Sequence, residues 1–168
     1  MLRYEWSLHF VLLLTNWLPD NVFFIRLRGR LARPFFKKCG KRVGIGRNVV
    51  FYNPSQIEIG QLVYIAYGCW FSAYAGISIE DEVLFGPYVV VATSNHSRVK
   101  GSFRFGPPIG RSIRFKYGSW IGANSAILPG ASIGEGTVIG ANSVVKVDVP
   151  DNWVFAGNPG SVRKELYE

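Results

Sequence analysis

Among the side chains of this sequence, His96 is the one best suited to acid–base chemistry. It lies in the segment TSNHS at residues 93–97, and an imidazole can accept a proton from a hydroxyl group at neutral pH. The chain has only one other histidine, His9, so a zinc site built from three histidines is excluded. The two cysteines, Cys39 and Cys69, lack metal-binding or redox spacing and are expected to be reduced and structural. The residues therefore favour a metal-free reaction with His96 as general base.

A hexapeptide repeat organises the rest of the chain, most clearly at residues 115–150. Each hexad opens with a branched or aromatic apolar residue, usually followed by a small one, and its fifth residue is Ser, Ala, Thr or Val. The opening residues are Phe115, Ile121, Ile127, Ile133, Ile139 and Val145. Because side chains alternate between the faces of a strand, this spacing predicts short strands joined by tight corners, with three hexads in each triangular coil. The fold class is therefore predicted to be an all-β solenoid.

The coils are interrupted by one large insertion, which begins beside His96. Coil starts lie 20, 36 and 18 residues apart, at Ile59, Ile79, Phe115 and Ile133. The interval of 36 residues thus holds an insertion of about one coil, expected as a loop at residues 97–114. A lone histidine is often structural, but its position at the mouth of this loop favours catalysis. No glycine-rich phosphate loop is present, which argues against nucleotidyl transfer.

Residues 1–42 form a basic arm that differs in composition from the solenoid domain at 43–168. The arm holds nine Lys and Arg residues against two acids, which is +7 of the chain's net charge of +8. Its apolar residues predict helices at 4–18 and 20–38, and the first run is too short to span a bilayer. Two compatible interpretations stay open: helices that cap the open end of the solenoid, or an anchor at the inner leaflet of a membrane. Nucleic acid is not expected as a partner, because no nucleic-acid-binding motif accompanies the charge.

The repeat fades after Pro150. Residues 153–168 predict a last strand, a turn and a short C-terminal helix. A length of 168 residues with 19 glycines and 48% apolar residues suits one domain with a sizeable core.

Several motifs together resemble one protein family. The pair Asn95-His96 is followed by the loop, then by WIGAN at residues 120–124, ILPG at 127–130 and VFAGNP at 154–159. This order resembles the maltose/galactoside O-acetyltransferase branch of the hexapeptide-repeat acyltransferases. More narrowly, it resembles the O-acetyltransferases that modify bacterial surface polysaccharides, and the likeness covers residues 43–164. It implies a left-handed parallel β-helix, a homotrimer with sites between subunits, and acetyl-CoA as co-substrate without a metal.

The resemblance also implies roles for individual residues. His96 matches the catalytic base, and Trp120 matches a tryptophan that lines the site. Ala123 and Ala141 match small residues whose backbone meets the pantetheine arm of acetyl-CoA. The basic residues expected near the donor are Lys146 and Lys164, although the motif around each departs from that of the family.

The acceptor side departs further from the galactoside enzymes. The asparagine that holds the sugar there is replaced by Cys69, which the resemblance places in the acceptor pocket with Asn95 and Trp120. Six basic residues and no acid lie between residues 98 and 116. They are either a solvated loop or the binding site of an anionic acceptor, such as a uronic acid or a diphosphate-linked sugar.

We therefore expect a cytoplasmic, homotrimeric acetyl-CoA-dependent O-acetyltransferase that acts on a sugar hydroxyl in surface polysaccharide biosynthesis. We also expect the N-terminal arm to associate with the surface of the inner membrane. The alternatives are an N-acetyltransferase of a nucleotide amino sugar, a streptogramin-type antibiotic acetyltransferase, and a non-catalytic trimeric scaffold.

Overall fold

Two helices precede the solenoid and cover its open end. The structure, a computed structural model, describes the backbone of residues 2–166 and the side chains of residues 6–166. Helix α1 (Leu2–Thr15) is followed by α2 (Val22–Ala32) and a short 3-10 turn (Arg33–Phe35). The side chain of Asn21 caps α2 by accepting from the amide of Phe24 at 3.0 Å. None of the helices within residues 2–166 is long and apolar enough to cross a membrane.

The helices are shorter than the sequence predicted, because the chain enters the solenoid earlier. Lys38, expected as the last residue of the second helix, instead forms the first strand of the solenoid together with Cys39. Helix α2 packs its buried residues Arg28, Gly29 and Ala32 on the first coil. A side chain at Gly29 would overlap the backbone of Val43, so only glycine permits this close contact.

The solenoid consists of three parallel sheets, one on each side of a triangular section. The first sheet contains β1 (Lys38–Cys39), β4 (Ile57–Ile59), β7 (Ile77–Ile79), β12 (Ile113–Phe115) and β15 (Ser132–Ile133). The second contains β2 (Gly44–Ile45), β5 (Tyr64–Ile65), β8 (Leu84–Phe85), β13 (Trp120–Ile121), β16 (Val138–Ile139), β18 (Trp153–Gly157) and β19 (Gly160–Glu165). The third contains β3 (Val50–Tyr52), β6 (Trp70–Ser72), β9 (Val90–Ala92), β14 (Ala126–Ile127) and β17 (Val144–Val145). The fold is thus the predicted left-handed parallel β-helix with an N-terminal helical arm.

The first residue of each hexad forms a buried column along the inside of a sheet. In the second sheet the column runs through Ile45, Ile65, Phe85, Ile121, Ile139 and Phe155, each at most 2% exposed. Phenylalanine rings also connect the sheets across the interior. The rings of Phe51, Phe71, Phe85 and Phe115 follow one another with centroids 4.9 to 5.2 Å apart. The predicted stacking of hexads is therefore confirmed.

The corners explain the remaining hexad positions. The fourth residue adopts a positive φ at Asn124 and Asn142 (57° and 59°) and at Gly118 and Gly136 (64° and 59°). Glycine and asparagine tolerate this region best, which accounts for their recurrence there. Buried hydroxyl groups at the fifth position donate to backbone oxygens of the corners, so these small polar residues find hydrogen-bond partners inside the solenoid.

The insertion of the third coil is an antiparallel hairpin rather than an irregular loop. It contains β10 (Ser94–His96) and β11 (Pro108–Gly110). It leaves the corner between the third sheet, after β9, and the first sheet, before β12. The insertion therefore includes His96 itself as part of a strand.

The prediction of a C-terminal helix is wrong. Strand β19 turns back and pairs antiparallel with β18, with Trp153 opposite Glu165 and Gly157 opposite Gly160. The outer edge of β18 offers unpaired backbone groups, and β19 satisfies them in a way that a helix could not. Residues 167 and 168, which the predicted helix included, lie outside the described residues.

Candidate active site

The hairpin that carries His96 is fixed to the solenoid at its base by Thr93. The hydroxyl group of this buried residue donates to the carbonyl oxygen of Ser72 at 3.0 Å and accepts from the amide of Ala75 at 2.9 Å. Its carbonyl oxygen accepts from the amide of Arg111, directly after the returning strand, at 2.9 Å. Both ends of the hairpin are therefore held by one residue. Sequence reasoning missed this role, although a hydroxyl at an inward-facing position signalled a need for buried hydrogen bonds.

The far end of the hairpin closes in a tight turn. Val99 and Ser102 exchange backbone hydrogen bonds of 2.9 and 3.0 Å. Lys100 and Gly101 between them both have positive φ, 48° and 84°, as in the two-residue turns that match the twist of a hairpin. The insertion thus has defined geometry from its base to its tip.

His96 presents an exposed imidazole on the first strand of this hairpin, opposite Pro108. The neighbouring hydroxyl group of Ser97 donates to the carbonyl oxygen of Pro107 at 2.6 Å. Within residues 2–166 the imidazole has no hydrogen-bond or ion-pair partner. Its ring nitrogens are therefore accessible to groups from outside the described chain.

Asn95 is adjacent to His96 in the same strand and is also exposed. Consecutive residues of a strand project to opposite faces, and Asn95 lies opposite Ile109 on the returning strand. The structure therefore places the amide and the imidazole on different faces of the hairpin. The role of Asn95 in an acceptor pocket stays a prediction.

Trp120 lies on another side of the molecule. It is the outward residue of β13 in the second sheet, between Leu84 and Val138 of the adjacent coils, and is 50% exposed. The hairpin leaves the corner between the other two sheets, across the triangular section from this face. A single chain therefore does not bring Trp120 and His96 together.

The prediction that Cys69 contacts the acceptor is corrected by its position. The side chain is completely buried, and its sulfur donates to the carbonyl oxygen of Gly86 at 3.2 Å. Burial raises the pKa of the thiol to about 11. Cys69 is the fifth residue of a hexad, the position that the repeat reserves for small inward-facing side chains. The position of Cys69 in the repeat therefore already predicted a buried side chain.

Ala123 and Ala141 occupy one corner, in adjacent coils. The amide of Asn142 donates to the carbonyl oxygen of Ala123 at 2.9 Å, which stacks the two turns directly. An added Cβ atom at Gly122 would lie 2.5 Å from the backbone nitrogen of Ala141. Ala141 itself is exposed. The backbone is thus closely packed below this corner, and only small side chains lie at its surface. Such a surface leaves room for an extended ligand to lie against the backbone.

The two lysines expected near the donor are exposed and lie apart. Lys146 follows β17 at the corner between the third and first sheets. Lys164 is on β19 opposite Val154, at the edge of the second sheet. Neither forms an ion pair within the described part of the chain. Contact of either with the donor stays a prediction.

The six basic residues between positions 98 and 116 do not share one environment. Lys116 donates to a carboxylate oxygen of Asp151 at 2.8 Å, and this contact raises the pKa of Lys116 and lowers that of Asp151. The charge of Lys116 is therefore compensated. Arg98, Lys100 and Arg104 lie on the exposed outer part of the hairpin and have no carboxylate partner among residues 6–166. The guanidinium of Arg104 lies over the ring of Phe105 at 5.3 Å from its centroid.

The repeats match a known family, and most of the chain is similar to sugar acetyltransferases. Residues 118–146 match the family of bacterial transferase hexapeptides (six repeats). The galactoside O-acetyltransferase of Escherichia coli K12 is 31% identical over 148 residues, which are 84% of this chain and 70% of that protein. An Escherichia coli K12 protein provisionally named as the lipopolysaccharide biosynthesis O-acetyl transferase WbbJ is 32% identical over 129 residues, 71% of this chain and 62% of that protein. The chain spans 53% to 70% of the length of the first curated relatives it matches.

Solved structures of sugar acetyltransferases share the fold over nearly all of the chain. A maltose O-acetyltransferase from Clostridium difficile 630 has a TM-score of 0.87 at 30% identity, covering 99% of this chain and 88% of that one. A galactoside acetyltransferase in complex with coenzyme A has a TM-score of 0.86 at 28% identity, covering 98% and 82%. The likeness therefore includes the helical arm as well as the solenoid.

Proposed function

This chain belongs to the hexapeptide-repeat acyltransferase family, in the branch of the galactoside O-acetyltransferases, and from this premise we propose that it transfers an acetyl group from acetyl-CoA to a sugar hydroxyl. The observation that carries the proposal is the exposed imidazole of His96 on a hairpin that is anchored at its base and interrupts an otherwise regular solenoid. A solenoid needs no histidine for its own stability. An exposed base on a rigid insertion is suited to proton transfer.

In the proposed reaction, His96 accepts the proton of the acceptor hydroxyl as that oxygen attacks the thioester carbonyl. The new bond joins the acceptor oxygen to the acetyl carbon, and the bond between that carbon and the CoA sulfur breaks. His96 then gives its proton to the departing thiolate. Backbone N–H groups stabilise the negative charge that develops on the carbonyl oxygen. No covalent acyl-enzyme is required, which agrees with the burial of Cys69.

The donor is proposed to lie along the corner formed by Ala123 and Ala141. Small side chains let the pantetheine arm approach the backbone of this corner, while bulky ones would block it. Lys146 and Lys164 are proposed to contact the phosphate groups of the donor. Because they lie on different sides of one chain, they would contribute to different sites or to different parts of the donor.

The site is proposed to form between subunits of a homotrimer. This arrangement is supported by the position of His96 and Trp120, which lie far apart on a single chain. A neighbouring subunit could place its own Trp120 beside the hairpin that carries His96. Closed threefold symmetry would create three identical sites of this kind. It would also cover exposed apolar residues of the flat faces, among them Leu84 and Val90.

The acceptor is proposed to be an anionic sugar of surface polysaccharide biosynthesis. Arg98, Lys100 and Arg104 support this, because they extend from the same hairpin as His96 and lack carboxylate partners in the described chain. A guanidinium can bind a carboxylate or phosphate through two parallel hydrogen bonds. The similarity to the provisionally named lipopolysaccharide enzyme agrees with this acceptor class.

The proposed compartment is the cytoplasm, where acetyl-CoA is produced, with the enzyme peripheral to the inner membrane. Membrane-bound sugar intermediates would then be within reach of the hairpin. The basic arm supports this position through its excess of positive charge.

Release of free CoA from acetyl-CoA, measured with a thiol reagent, tests the proposal. The wild-type protein should release CoA only when a sugar acceptor is present. His96→Ala should lower turnover by about 10²–10⁴-fold, as expected for a lost general base. His9→Ala is the matched control, because it removes the other histidine from an exposed position of α1 and should leave turnover unchanged. More than a third of wild-type turnover in His96→Ala would exclude the general-base role.

A panel of acceptors separates the remaining functions. Uronic acids, neutral hexoses, nucleotide amino sugars and a streptogramin should be compared, and the products treated with mild base. An O-acetyl ester is hydrolysed under these conditions, whereas an N-acetyl amide survives. The anionic proposal requires that Arg98→Ala with Arg104→Ala lowers kcat/KM for a uronic acid by about tenfold or more and leaves a neutral hexose unaffected. Absence of transfer to every acceptor would favour the scaffold.

A further inference from the structure

The helical cap exposes one face of α2 that does not serve the packing of the cap. Arg28, Gly29 and Ala32 are buried against the solenoid. The first turn of the helix exposes Val22 at 60% and Phe23 at 70%. Large apolar side chains with this exposure contribute nothing to the core, so this face is available to a partner.

A strongly basic pocket lies beside this apolar face, between α2 and the first coil. It has a volume of about 460 Å³. Its lining residues are Arg26, Gly29, Arg30, Arg33, Gly40, Lys41, Arg42 and Val43, with five cations and no carboxylate. In the described chain none of these five cations forms an ion pair, and the nearby carboxylate of Asp20 is bound by Arg28 and Arg47 instead. The pocket is therefore suited to a ligand with more than one negative charge.

The basic pocket and the apolar face are continuous. A second groove, of about 490 Å³, is lined by Val22, Phe23, Arg26, Leu27 and Arg30, so Arg26 and Arg30 border both features. Two further exposed apolar residues precede α2: Leu14, in the last turn of α1, is 71% exposed and Trp17, in the turn that follows, is 78% exposed. This turn is fixed relative to α2, because Arg28 donates to the carbonyl oxygens of Thr15 and Leu18. Apolar and cationic groups thus lie side by side along α2, and the turn that carries Trp17 is held beside this helix.

We propose that this surface docks on an anionic phospholipid bilayer. Lipid phosphates would occupy the basic pocket, while Trp17, Val22 and Phe23 enter the boundary between headgroups and acyl chains. Nucleic acid could bind the cationic side chains but would leave the adjacent apolar side chains in water. A bilayer offers phosphates to the cations and, just below the headgroups, acyl chains to the apolar residues. This surface would hold the protein at the inner membrane, as the proposed function requires, and its binding to lipid does not depend on acetyl transfer.

Flotation of the full chain with vesicles tests the docking surface. Vesicles of phosphatidylcholine alone are compared with vesicles that also contain phosphatidylglycerol, across a salt series. The protein should float only with the anionic vesicles, and rising salt should weaken binding because it screens the charges. Arg26→Glu with Arg30→Glu should lower partitioning by about 25-fold or more, at about fivefold for each basic residue.

Two matched controls distinguish binding through this surface from effects of net charge and of exposed apolar residues elsewhere on the protein. Arg98→Glu with Lys100→Glu makes the same change of net charge on the distant hairpin and should keep vesicle binding. Trp17→Ser with Phe23→Ser should remove the salt-resistant part of binding, whereas Phe103→Ser with Phe105→Ser, also exposed, should not. All these residues are on the surface, so folding and assembly can be verified by circular dichroism and sedimentation.

Several results would overturn the inference. The first is equal binding to neutral and anionic vesicles, and the second is retained binding by the Arg26 and Arg30 variant. The third is binding of the wild-type protein to nucleic acid but not to vesicles. The fourth is a wild-type protein that binds no vesicles, together with loss of assembly in the Trp17 and Phe23 variant. The last result would identify the surface as a contact between copies. Acetyl transfer to a water-soluble acceptor is measured in parallel, so failure of vesicle binding with intact transfer contradicts only the docking surface.

Discussion

Arg28 and Asp20 form an ion pair of 2.7 Å in which the guanidinium is completely buried. The same guanidinium donates to the carbonyl oxygens of Thr15, Leu18 and Ile45 at 3.4, 2.5 and 3.1 Å. These oxygens belong to the end of α1, the following turn and β2. One side chain in α2 therefore joins all parts of the cap to the first coil. A buried charge of this kind is tolerable because every partner is supplied.

Breaking this contact should release the cap from the solenoid. Arg28→Ala removes the ion pair with Asp20 and the hydrogen bonds to three backbone carbonyl oxygens at once, so we expect a loss of about 3–5 kcal/mol in the unfolding free energy. Arg47→Ala is the matched control, because Arg47 contacts the same carboxylate at 3.5 Å but is 41% exposed, and exposed pairs contribute at most about 1 kcal/mol. Chemical denaturation measures both values, and hydrogen exchange should show faster exchange in α2 for Arg28→Ala only. Equal effects of the two substitutions would contradict this account.

The solenoid was predictable because its physical rule is local and repeated. An inward residue at every sixth position specifies the strand, the corner and the neighbour above, so the columns through Ile45 and Phe51 follow from spacing alone. The role of Arg28 was not predictable in this way. Its partners lie 8 to 17 positions away and include backbone oxygens, and nothing in the charge pattern distinguishes it from Arg26 or Arg30. The C-terminal strand β19 was missed for a related reason, since a free sheet edge decided its conformation.

The candidate site was predictable only in part. The interruption of the repeat located the insertion that carries His96, but its hairpin structure depends on Thr93, whose hydrogen bonds reach across coils. Within the described residues the imidazole of His96 is exposed and has no partner, so no local pattern specifies what surrounds it. For Cys69 the repeat itself predicted burial, and the resemblance to galactoside enzymes pointed in the wrong direction.

The burial of Cys69 predicts slow alkylation in the native protein. With a pKa of about 11, against an ordinary value of 9.0, its thiolate fraction near neutral pH is lowered by about 100-fold. Iodoacetamide followed by peptide mass spectrometry should therefore label Cys69 in denatured protein and leave it largely unlabelled in native protein. An acceptor sugar should not change the native rate. Rapid native labelling that the acceptor suppresses would restore Cys69 to the acceptor pocket.

The same thiol predicts a loss of stability at high pH. Because the folded pKa lies above the unfolded value, the stabilising contribution of the neutral thiol is complete below pH 9.0 and is lost as the pH rises toward about 11. Unfolding free energies measured across this interval should fall more steeply for the wild-type protein than for Cys69→Ala. The variant serves as the control, since tyrosines and lysines titrate in the same interval in both proteins. Parallel curves would contradict the assignment.

Ala141 allows a direct test of the proposed donor strip. Ala141→Leu places a branched side chain on the exposed corner, where it should obstruct the pantetheine arm and raise the Kd of acetyl-CoA by about tenfold or more. Ala141→Ser is the matched control, because it adds one oxygen atom and keeps the corner small. Calorimetric titration with acetyl-CoA measures both affinities, and turnover at saturating donor should be similar in the two variants. Unchanged affinity in Ala141→Leu would place the donor elsewhere.

A site shared between subunits makes two inactive variants complement each other. His96→Ala and Trp120→Ala should each be impaired alone. When both chains are coexpressed, a site that combines His96 from the Trp120→Ala chain with Trp120 from the His96→Ala chain is wild type. Random assembly of equal amounts gives such a site at one interface in four, so activity should recover to about a quarter of the wild-type value. Mixing the two purified homo-oligomers without exchange of subunits is the control and should give no recovery. If coexpression also gives none, while sedimentation shows mixed oligomers, Trp120 and His96 do not meet across an interface and the shared site is excluded.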